Sequence, residues 1–245
     1  MSDKINSISI VSRASSLATI QAKIVGDRIK EILPDISIRY HTTKTDADIN
    51  ININISDPSE IGIFTRDIST RVIDGECDLA VHSWKDLPIE PSSKTEIIGT
   101  LGRGDMRDVI IMKSNTASLD FKKEIKLLTS SPRRRFNLGQ ILPTLIPVKF
   151  KNITFIDIRG NIQTRLKKFQ SGNEDAIILA KVALDRLIEF GNEDIKKYIK
   201  SILSENKWSI LPLSIFPTAP GQGAIAIEAK KDNKRLKGIV QKINS

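Results

Sequence analysis

The chain has 245 residues, and its 38 Lys and Arg against 29 Asp and Glu give a net charge of +9. We therefore expect an anionic partner, which could be nucleic acid, anionic lipid or a small polyanion. The N-terminus lacks the apolar core of a signal peptide, and no run approaches the roughly 18 apolar residues of a membrane span, so we expect a cytoplasmic protein without membrane contact. One cysteine and two histidines argue against a disulfide and against a metal centre.

The first part of the sequence predicts alternating strands and helices. Residues 7–12 alternate like a strand, a helix capped by Ser15 or Ser16 should run from there to about residue 33, and residues 36–41 predict a second strand. The Ile- and Asn-rich residues 46–60 predict a loop with a short strand-like portion. Gly62 should begin a further helix that ends at Asp74 and Gly75.

The remainder predicts a second domain and a return to the first. The Gly-rich residues 99–108 and the Pro- and Gly-punctuated residues 211–223 indicate two crossovers, and residues 223–228 predict a strand that rejoins the first domain. We expect domain 1 to comprise residues 1–102 and 218–245, and domain 2 residues 103–217. Within these two domains the pattern also predicts strands at 78–81, 109–112, 125–128, 153–158 and 176–180. It predicts helices at 133–142 and 162–170, and a helix through Val182 and Leu187. No internal repeat stands out.

A first candidate site follows the apolar run 78–81. His82, Ser83, Trp84, Lys85 and Asp86 crowd polar groups onto the segment that leaves this predicted strand. Ligands of open α/β sheets bind outside the carboxyl ends of the strands. The segment is therefore a candidate active site, although a solvated Lys–Asp pair is the commoner fate of such a dipeptide.

Basic residues also follow four other predicted strands. Hydroxyls at a helix cap, Pro at the first turn and free backbone N–H groups make an anion cradle, and arginines add bidentate recognition of carboxylate or phosphate. The residues in such positions are Arg13, Lys85, Thr129, Ser130, Ser131, Arg133, Arg134, Arg159, Gly160, Asn161, Arg165, Lys181 and Arg186. Each cluster alone is most simply explained as a basic cap on a surface helix. Because all of them follow the carboxyl ends of strands, together they favour a cleft that binds a ligand with several carboxylates. Nucleic acid is the weaker alternative, because aromatic residues are scarce and no recognition motif is present.

Eight motifs in order resemble the porphobilinogen deaminase family, also called hydroxymethylbilane synthase. They are RASSLA at 13–18, GIFTRD at 62–67, DLAVHSWKDLP at 78–88, RGDMRD at 103–108, TSSPRR at 129–134, RGNIQTRL at 159–166, DAIILAKVALDRL at 175–187 and PGQGAIAIE at 220–228. The resemblance implies an α/β fold of two doubly wound domains, like type-II periplasmic binding proteins, joined by two crossovers and followed by a third domain.

The resemblance also implies a reaction and roles for individual residues. The family condenses four porphobilinogens head to tail into hydroxymethylbilane with loss of ammonia, on a dipyrromethane cofactor held by a cysteine of the third domain. Asp86 would be the catalytic acid that binds pyrrole N–H groups and stabilises the cation formed as ammonia leaves. The residues that would bind acetate and propionate groups are Arg13, Ser15, Lys85, Thr129, Ser130, Ser131, Arg133, Arg134, Arg159, Gly160, Asn161 and Arg165. Gln222 would lie near the hinge.

One departure from the family leaves two functions open. The sequence ends at Ser245, so we expect the third domain to be missing, and Cys77 does not match the position of the cysteine that holds the cofactor. The chain is then either a deaminase, with a non-covalent cofactor or with a separate chain that supplies the third domain, or a non-catalytic binding protein for a polycarboxylate or pyrrole. Asp86 favours the enzyme. We expect a monomer that binds a small anionic pyrrole.

Overall fold

The computed structural model of the chain describes residues 6–44, 65–90, 92–146 and 148–244. The predicted loop at 46–60 and the predicted helix start at Gly62 lie outside these ranges. The described residues belong to two compact units: unit 1 comprises Met1–Gly104 and Pro220–Ser245, and unit 2 comprises Asp105–Ala219. Of the helices in this described part of the chain, none is both long enough and apolar enough to cross a membrane.

Unit 1 is built on a five-stranded mixed sheet. Its strands are β1 Ser7–Arg13, β2 Ser37–Thr43, β3 Leu79–Ser83, β4 Thr95–Leu101 and β10 Ile225–Lys230, and its helices are α1 Ser16–Ile32, α2 Arg66–Ile73 and α8 Lys234–Val240. The strand order is β2-β1-β3-β10-β4. Strands β1, β2 and β3 are parallel, and β10 runs antiparallel to both β3 and β4.

Helices cover both faces of this sheet, as the doubly wound prediction requires. On one face of the sheet, strand residues such as Ile10 and Val81 pack with Val25 of α1 and Val240 of α8. On the other face, Val11 and Ala80 pack against α2. Since neither face of the sheet is open to water, the sequence of β3 is a continuous apolar run and not an alternation of apolar and polar residues.

Unit 2 repeats the same plan with the strand order β7-β6-β8-β5-β9. Strands β6, β7 and β8 are parallel, and β5 is antiparallel to β8 and β9. The elements are β5 Asp108–Lys113, α3 Ser114–Ala117, β6 Phe121–Leu128, α4 Pro132–Leu145, β7 Lys149–Ile156, α5 Ile162–Ser171, β8 Ala176–Ala180, α6 Lys181–Phe190, α7 Glu193–Glu205 and β9 Asn206–Ile210.

The structure thus confirms an α/β fold of two doubly wound units linked by two crossovers. It also corrects details of the sequence reading. Strand β4 was not predicted, and its last three residues, 99–101, were predicted to start the first crossover. Elements α3, α7, β9 and α8 also had no predicted counterpart. The two units share a topology without a sequence repeat, because strand order is fixed by which apolar runs pair and not by residue identity.

A buried carboxylate ties together four elements of unit 1. Glu228 on β10 accepts hydrogen bonds from Ser69 of α2 (2.7 Å), from His82 Nε2 at the end of β3 (2.8 Å) and from Thr95 of β4. The side chains of His82 and Glu228 are only 2% and 6% exposed. Burial alone would raise the pKa of the Glu228 carboxyl. The hydrogen bond and the charge of His82, together with the hydrogen bonds of Thr95 and Ser69, outweigh the effect of burial and lower the pKa.

We expect Glu228→Gln to lower the free energy of unfolding by about 2–3 kcal/mol at neutral pH, because hydrogen bonds to a buried charge are lost. A depressed carboxyl pKa stabilises the fold above the ordinary value of 4.5. That stabilisation disappears as the pH falls through the lowered folded-state pKa, so the difference between variant and wild type should shrink in acid. Urea unfolding followed by circular dichroism, at neutral pH and at about pH 4, measures it.

The control is Glu96→Gln, which removes a solvent-accessible carboxylate that pairs with Lys237. We expect this change to move the urea midpoint far less, since accessible ion pairs contribute little. Equal losses in the two variants, or a Glu228→Gln effect that does not depend on pH, would contradict the role assigned to the buried network.

Candidate functional site

In unit 1 the predicted catalytic segment leaves β3 as a fixed 3₁₀ turn, Trp84–Asp86. The Trp84 N–H donates to the Ala224 carbonyl over 3.1 Å, and the Leu87 N–H donates to the Trp84 carbonyl over 3.0 Å. Ser83, the residue before the turn, hydrogen-bonds to Gln21, which is buried in α1 (Nε2 to Oγ, 3.1 Å). The turn is therefore held by β3, by α1 and by the chain that leads into β10.

The Asp86 carboxylate is half-buried, and within the described ranges it has neither a hydrogen bond nor an ion pair. Three other acids that are buried or half-buried are engaged within the protein: Asp108 and Asp175 each accept from several donors, and Asp105 binds Arg107. Asp86 is thus available to accept hydrogen bonds from a ligand. Its neighbour Lys85 is exposed and makes a contact of its own.

Arg13 and Ser15 lie at the same edge of the sheet as this turn. Strands β1 and β3 are parallel, with Val11 opposite Ala80, so Arg13 at the end of β1 is level with His82. Ser15 is the N-cap of α1, and its Oγ accepts from the Ala18 N–H over 3.3 Å. Between the two predicted caps the structure selects Ser15, and the N-terminus of α1 opens at the edge that carries Asp86.

Gln222 belongs to the loop that enters β10, and the two crossover chains meet there. The Arg103 Nε donates to the Gln222 carbonyl over 2.7 Å, and the Gly104 N–H donates to the Gly223 carbonyl over 3.1 Å. Gly223 has φ +94°, and a Cβ on it would lie 2.7 Å from the Gly104 carbonyl oxygen. Only glycine lets the crossovers approach so closely. The Gln222 side chain is buried.

In unit 2 the starts of α4 and α5 lie side by side. Parallel pairing of β6 and β7 places Leu128 opposite Ile156, so the chain leaves both strands at one edge. Ser130 joins the two exits, since its hydroxyl donates to the Ile158 carbonyl (2.9 Å) and accepts from the Ile158 N–H (2.8 Å). Thr129 is buried, and its hydroxyl accepts from the Ser131 N–H.

Both helices begin with a polar cap. Ser131 is the N-cap of α4, with Pro132 in the first turn, and Asn161 is the N-cap of α5, where Oδ1 accepts from the Thr164 N–H over 2.9 Å. Gly160 precedes this cap with φ +108°, and a Cβ there would collide with Thr164. Backbone N–H groups at a helix start attract anions, so this edge suits carboxylates.

Arg133 and Arg134 bind a carboxylate that the chain itself supplies. Asp108 at the start of β5 is fully buried and accepts from the Nη2 atoms of Arg133 and Arg134, each over 2.7 Å. Arg134 is only 7% exposed and also donates to the Ile178 carbonyl, while Arg133 donates to the Pro217 carbonyl. Burial lowers the pKa of the Arg134 guanidinium, although the charge of Asp108 opposes this.

Arg159 and Arg165 stand in a more open position than Arg134, because both are half-buried at the start of α5. The Arg165 Nε donates to the Gly160 carbonyl over 2.7 Å, which folds this guanidinium back over the cap of the helix. Of the four arginines predicted at this edge, Arg133 is also half-buried, and only Arg134 is closed to an incoming anion by burial.

Asp108 and Glu228 are residues whose roles the sequence reading did not assign, although both stand inside recognised motifs. A signal for Asp108 was present: an acid directly before the apolar run 109–112 needs a cationic partner if the strand is buried. Arg186 was noticed only as a basic residue, and burial lowers its pKa to about 10 despite the opposing charge of Asp185.

Cys77 lies at the other end of β3 from Asp86. It is buried in the cluster with Val11 and Ile68, and burial is the largest of the effects that raise the pKa of its thiol. The strand between the two ends spans about 15 Å. A buried, protonated thiol at the amino end of the strand is a packing residue and not an attachment point for a ligand at the carboxyl end.

Comparisons of the sequence with known proteins point to one family. A family model described as porphobilinogen deaminase, dipyromethane cofactor binding domain, matches residues 8–238. Porphobilinogen deaminases from Chlorobaculum parvum and Chlorobium phaeobacteroides are each 36% identical to the chain, covering 97% and 96% of it and 69% and 68% of their own lengths. The porphobilinogen deaminase of Caldicellulosiruptor saccharolyticus is also 36% identical, over 96% of the chain and 73% of that relative.

For the buried charges of unit 2 we expect Asp108→Asn to lower the free energy of unfolding by about 3–5 kcal/mol, because Arg134 would stay buried without a counter-charge. Asp157→Asn is the control, since this acid binds Arg135 through a carboxylate that is 73% exposed and should contribute at most about 1 kcal/mol. Urea unfolding measures both changes. A loss for Asp108→Asn no larger than that of the control would show that the two arginines are not held by Asp108.

Proposed function

The chain belongs to the porphobilinogen deaminase family, and from this premise we propose that it condenses four porphobilinogens into hydroxymethylbilane with release of ammonia. Membership of the family makes the chain a transferase of tetrapyrrole biosynthesis and gives it a domain that binds dipyrromethane. The number of substrate units, their head-to-tail order and the roles of individual residues belong to the proposal.

The observation that carries the proposal is the open carboxylate of Asp86 on a fixed turn. In the condensation, the C–N bond of the substrate's aminomethyl group breaks, and ammonia leaves with the electron pair. The carbon left behind is cationic and conjugated with the pyrrole ring. It forms a C–C bond with the next pyrrole, and a ring proton is then lost. The cation at the end of the completed chain takes up water, which supplies the hydroxyl group of the product. A carboxylate fixed beside the ring accepts the pyrrole N–H and stabilises the positive charge as it develops.

The second part of the proposal is that cationic and N–H groups hold the acetate and propionate groups of the substrate. Arg13, Lys85 and the start of α1 serve this purpose in unit 1. In unit 2, Arg159, Arg165 and the helix starts at Ser131 and Asn161 do so, with Gly160 allowing close approach. Arg133, Arg134, Ser130 and Thr129 shape this edge through their contacts within the protein. Arg134 acts mainly through Asp108, because so little of it is exposed.

The donor set fits dipyrromethane as far as its carboxylates are concerned. Guanidinium groups and helix N–H groups recognise carboxylates, and unit 2 presents both at one sheet edge. When bound, dipyrromethane supplies the pyrrole to which substrate units are joined. The chain's own residues would orient its acidic groups. Cys77 does not fit as a covalent anchor, because it is buried at the opposite end of β3.

The position of Cys77 favours a second candidate function, a non-catalytic protein that binds a pyrrole or another small polycarboxylate. A related possibility is a catalytic subunit that is completed by a separate chain carrying the cofactor cysteine. A non-catalytic binding protein does not require the carboxylate of Asp86 to be left open, whereas condensation does, with or without a second chain. For this reason we prefer the enzyme.

We expect the purified protein to release ammonia from porphobilinogen and to form a product that oxidises to uroporphyrin. Asp86→Asn should lower kcat by about 10²–10³-fold, because a neutral amide cannot stabilise the developing cation, while the affinity for porphobilinogen changes little. Ammonia release, absorbance after oxidation and equilibrium binding are the measurements. Asp74→Asn, at the exposed end of α2, is the control and should retain full activity.

Saturable binding of porphobilinogen without turnover at any protein concentration would favour the binding protein instead. Recovery of turnover on adding a fragment that carries a cofactor cysteine would favour the two-chain arrangement. Mass spectrometry of the intact chain detects any dipyrromethane adduct, and we expect none on Cys77.

A further inference from the structure

Trp84 is an exposed aromatic residue inside the turn that carries Asp86. Aromatic residues make up only 5% of the sequence. The Trp84 side chain is nevertheless 38% exposed, although its backbone is hydrogen-bonded to Ala224 on one side and to Leu87 on the other. The ring is thus partly open to water on a constrained backbone, where a ligand held by Asp86 can reach it.

The loop that enters β10 fixes one edge of the indole. A Cβ on Gly221 would lie 2.4 Å from Trp84 Cδ1 and 2.8 Å from Cγ, and Gly221 itself has φ +67°. Only glycine meets both requirements, so the backbone at Gly221 packs closely against the five-membered part of the indole. This contact holds the side chain in place, while 38% of it remains exposed.

No protein cation occupies the face of this ring in the described part of the chain. The cation–ring contacts found there join Lys113 to Phe169 and Arg133 to Phe216, and neither involves Trp84. The partly exposed indole is therefore not paired with a cation of the described residues, and it stands two residues before the open carboxylate of Asp86.

The pairing of an indole face with a carboxylate matches the chemistry of a pyrrole. The ring of a pyrrole stacks on an aromatic face while its N–H donates to a carboxylate. Loss of ammonia makes the same ring cationic, and a cation over an indole is stabilised by the ring quadrupole. Both residues then act more strongly on the transition state than on the bound substrate.

We propose that Trp84 contacts the substrate and forms the aromatic wall of the pyrrole subsite beside Asp86. The proposal rests on the proposed function and extends it, because it names the residue that stacks on the reacting ring. Phe at this position would keep an aromatic face, whereas Leu would keep apolar bulk without one.

The first test uses intrinsic fluorescence, because the sequence contains only two tryptophans, Trp84 and Trp208. In Trp208→Phe, where Trp84 is the remaining fluorophore, porphobilinogen should quench or shift the emission saturably. Trp208 lies on β9 in unit 2 and is exposed, so this change should leave activity intact. In the matched variant Trp84→Phe the emission of Trp208 should not respond. A response from Trp208 alone would overturn the proposal.

The second test separates stacking from folding. We expect Trp84→Leu to lower kcat/KM for porphobilinogen by about tenfold, mostly through kcat, and Trp84→Phe to stay within about threefold of wild type. Urea midpoints of both variants check that each is folded. Equal activity of the Leu and Phe variants, or a loss that follows only the urea midpoint, would overturn the proposal.

The two tests also separate this inference from the proposed function. Ammonia release with an unresponsive Trp84 and an active Trp84→Leu variant would leave the condensation standing and remove the aromatic wall. A saturable Trp84 response without ammonia release would keep the pyrrole subsite and remove the condensation.

Discussion

The antiparallel pairing of β10 with β3 is the interaction on which the site of unit 1 depends. It joins residues more than 140 positions apart, with Ile225 opposite Ser83 and Ala226 opposite His82. The same pairing brings Glu228 to the imidazole of His82 and the Ala224 carbonyl to the Trp84 N–H. The turn that presents Asp86 is therefore shaped by a strand from the far end of the chain, and it can form only after the second crossover has returned.

The fold was largely predictable because each local signal agreed with the next. Apolar runs bounded by Gly and polar residues predicted the buried strands, and the caps at Ser131 and Asn161 follow from hydroxyl and amide side chains that precede helical periodicity. Strands β4 and β9 were missed because their burial is uneven: the sequence of β9 is mostly exposed, so its pairing with β5 leaves little periodic trace. Helix α7 was missed although its sequence carries a helical signal, with an Asn192 cap and buried Ile199 and Ile202 on one face. The shared topology of the units has no sequence signature at all.

The candidate site was predictable in position but not in the use of its charges. Residues at the carboxyl ends of strands were expected at one edge in each unit, and the register of β1 with β3 and of β6 with β7 places them there. Sequence reasoning counted Arg133 and Arg134 with Arg159 and Arg165, because all four are basic and follow strands. The structure distinguishes the two pairs, because Asp108, buried at the start of β5, forms ion pairs with Arg133 and Arg134. Such a contact between β5 and α4 depends on strand order, which a single sequence does not reveal.

The chain treats its carboxylates in two ways, and the contrast gives Asp86 its meaning. Asp108, Asp175 and Glu228 are buried and surrounded by donors, so their charges are compensated and hold elements together. Asp86 is half-buried on an equally well-fixed backbone, yet within the described residues its carboxylate has no donor. Leaving a partly desolvated charge without a partner costs stability, and a fold that could satisfy three other acids has the means to satisfy this one. A carboxylate kept open in this way is ready to bind a donor or a developing positive charge without first giving up a protein contact, which is the preorganisation that electrostatic catalysis requires.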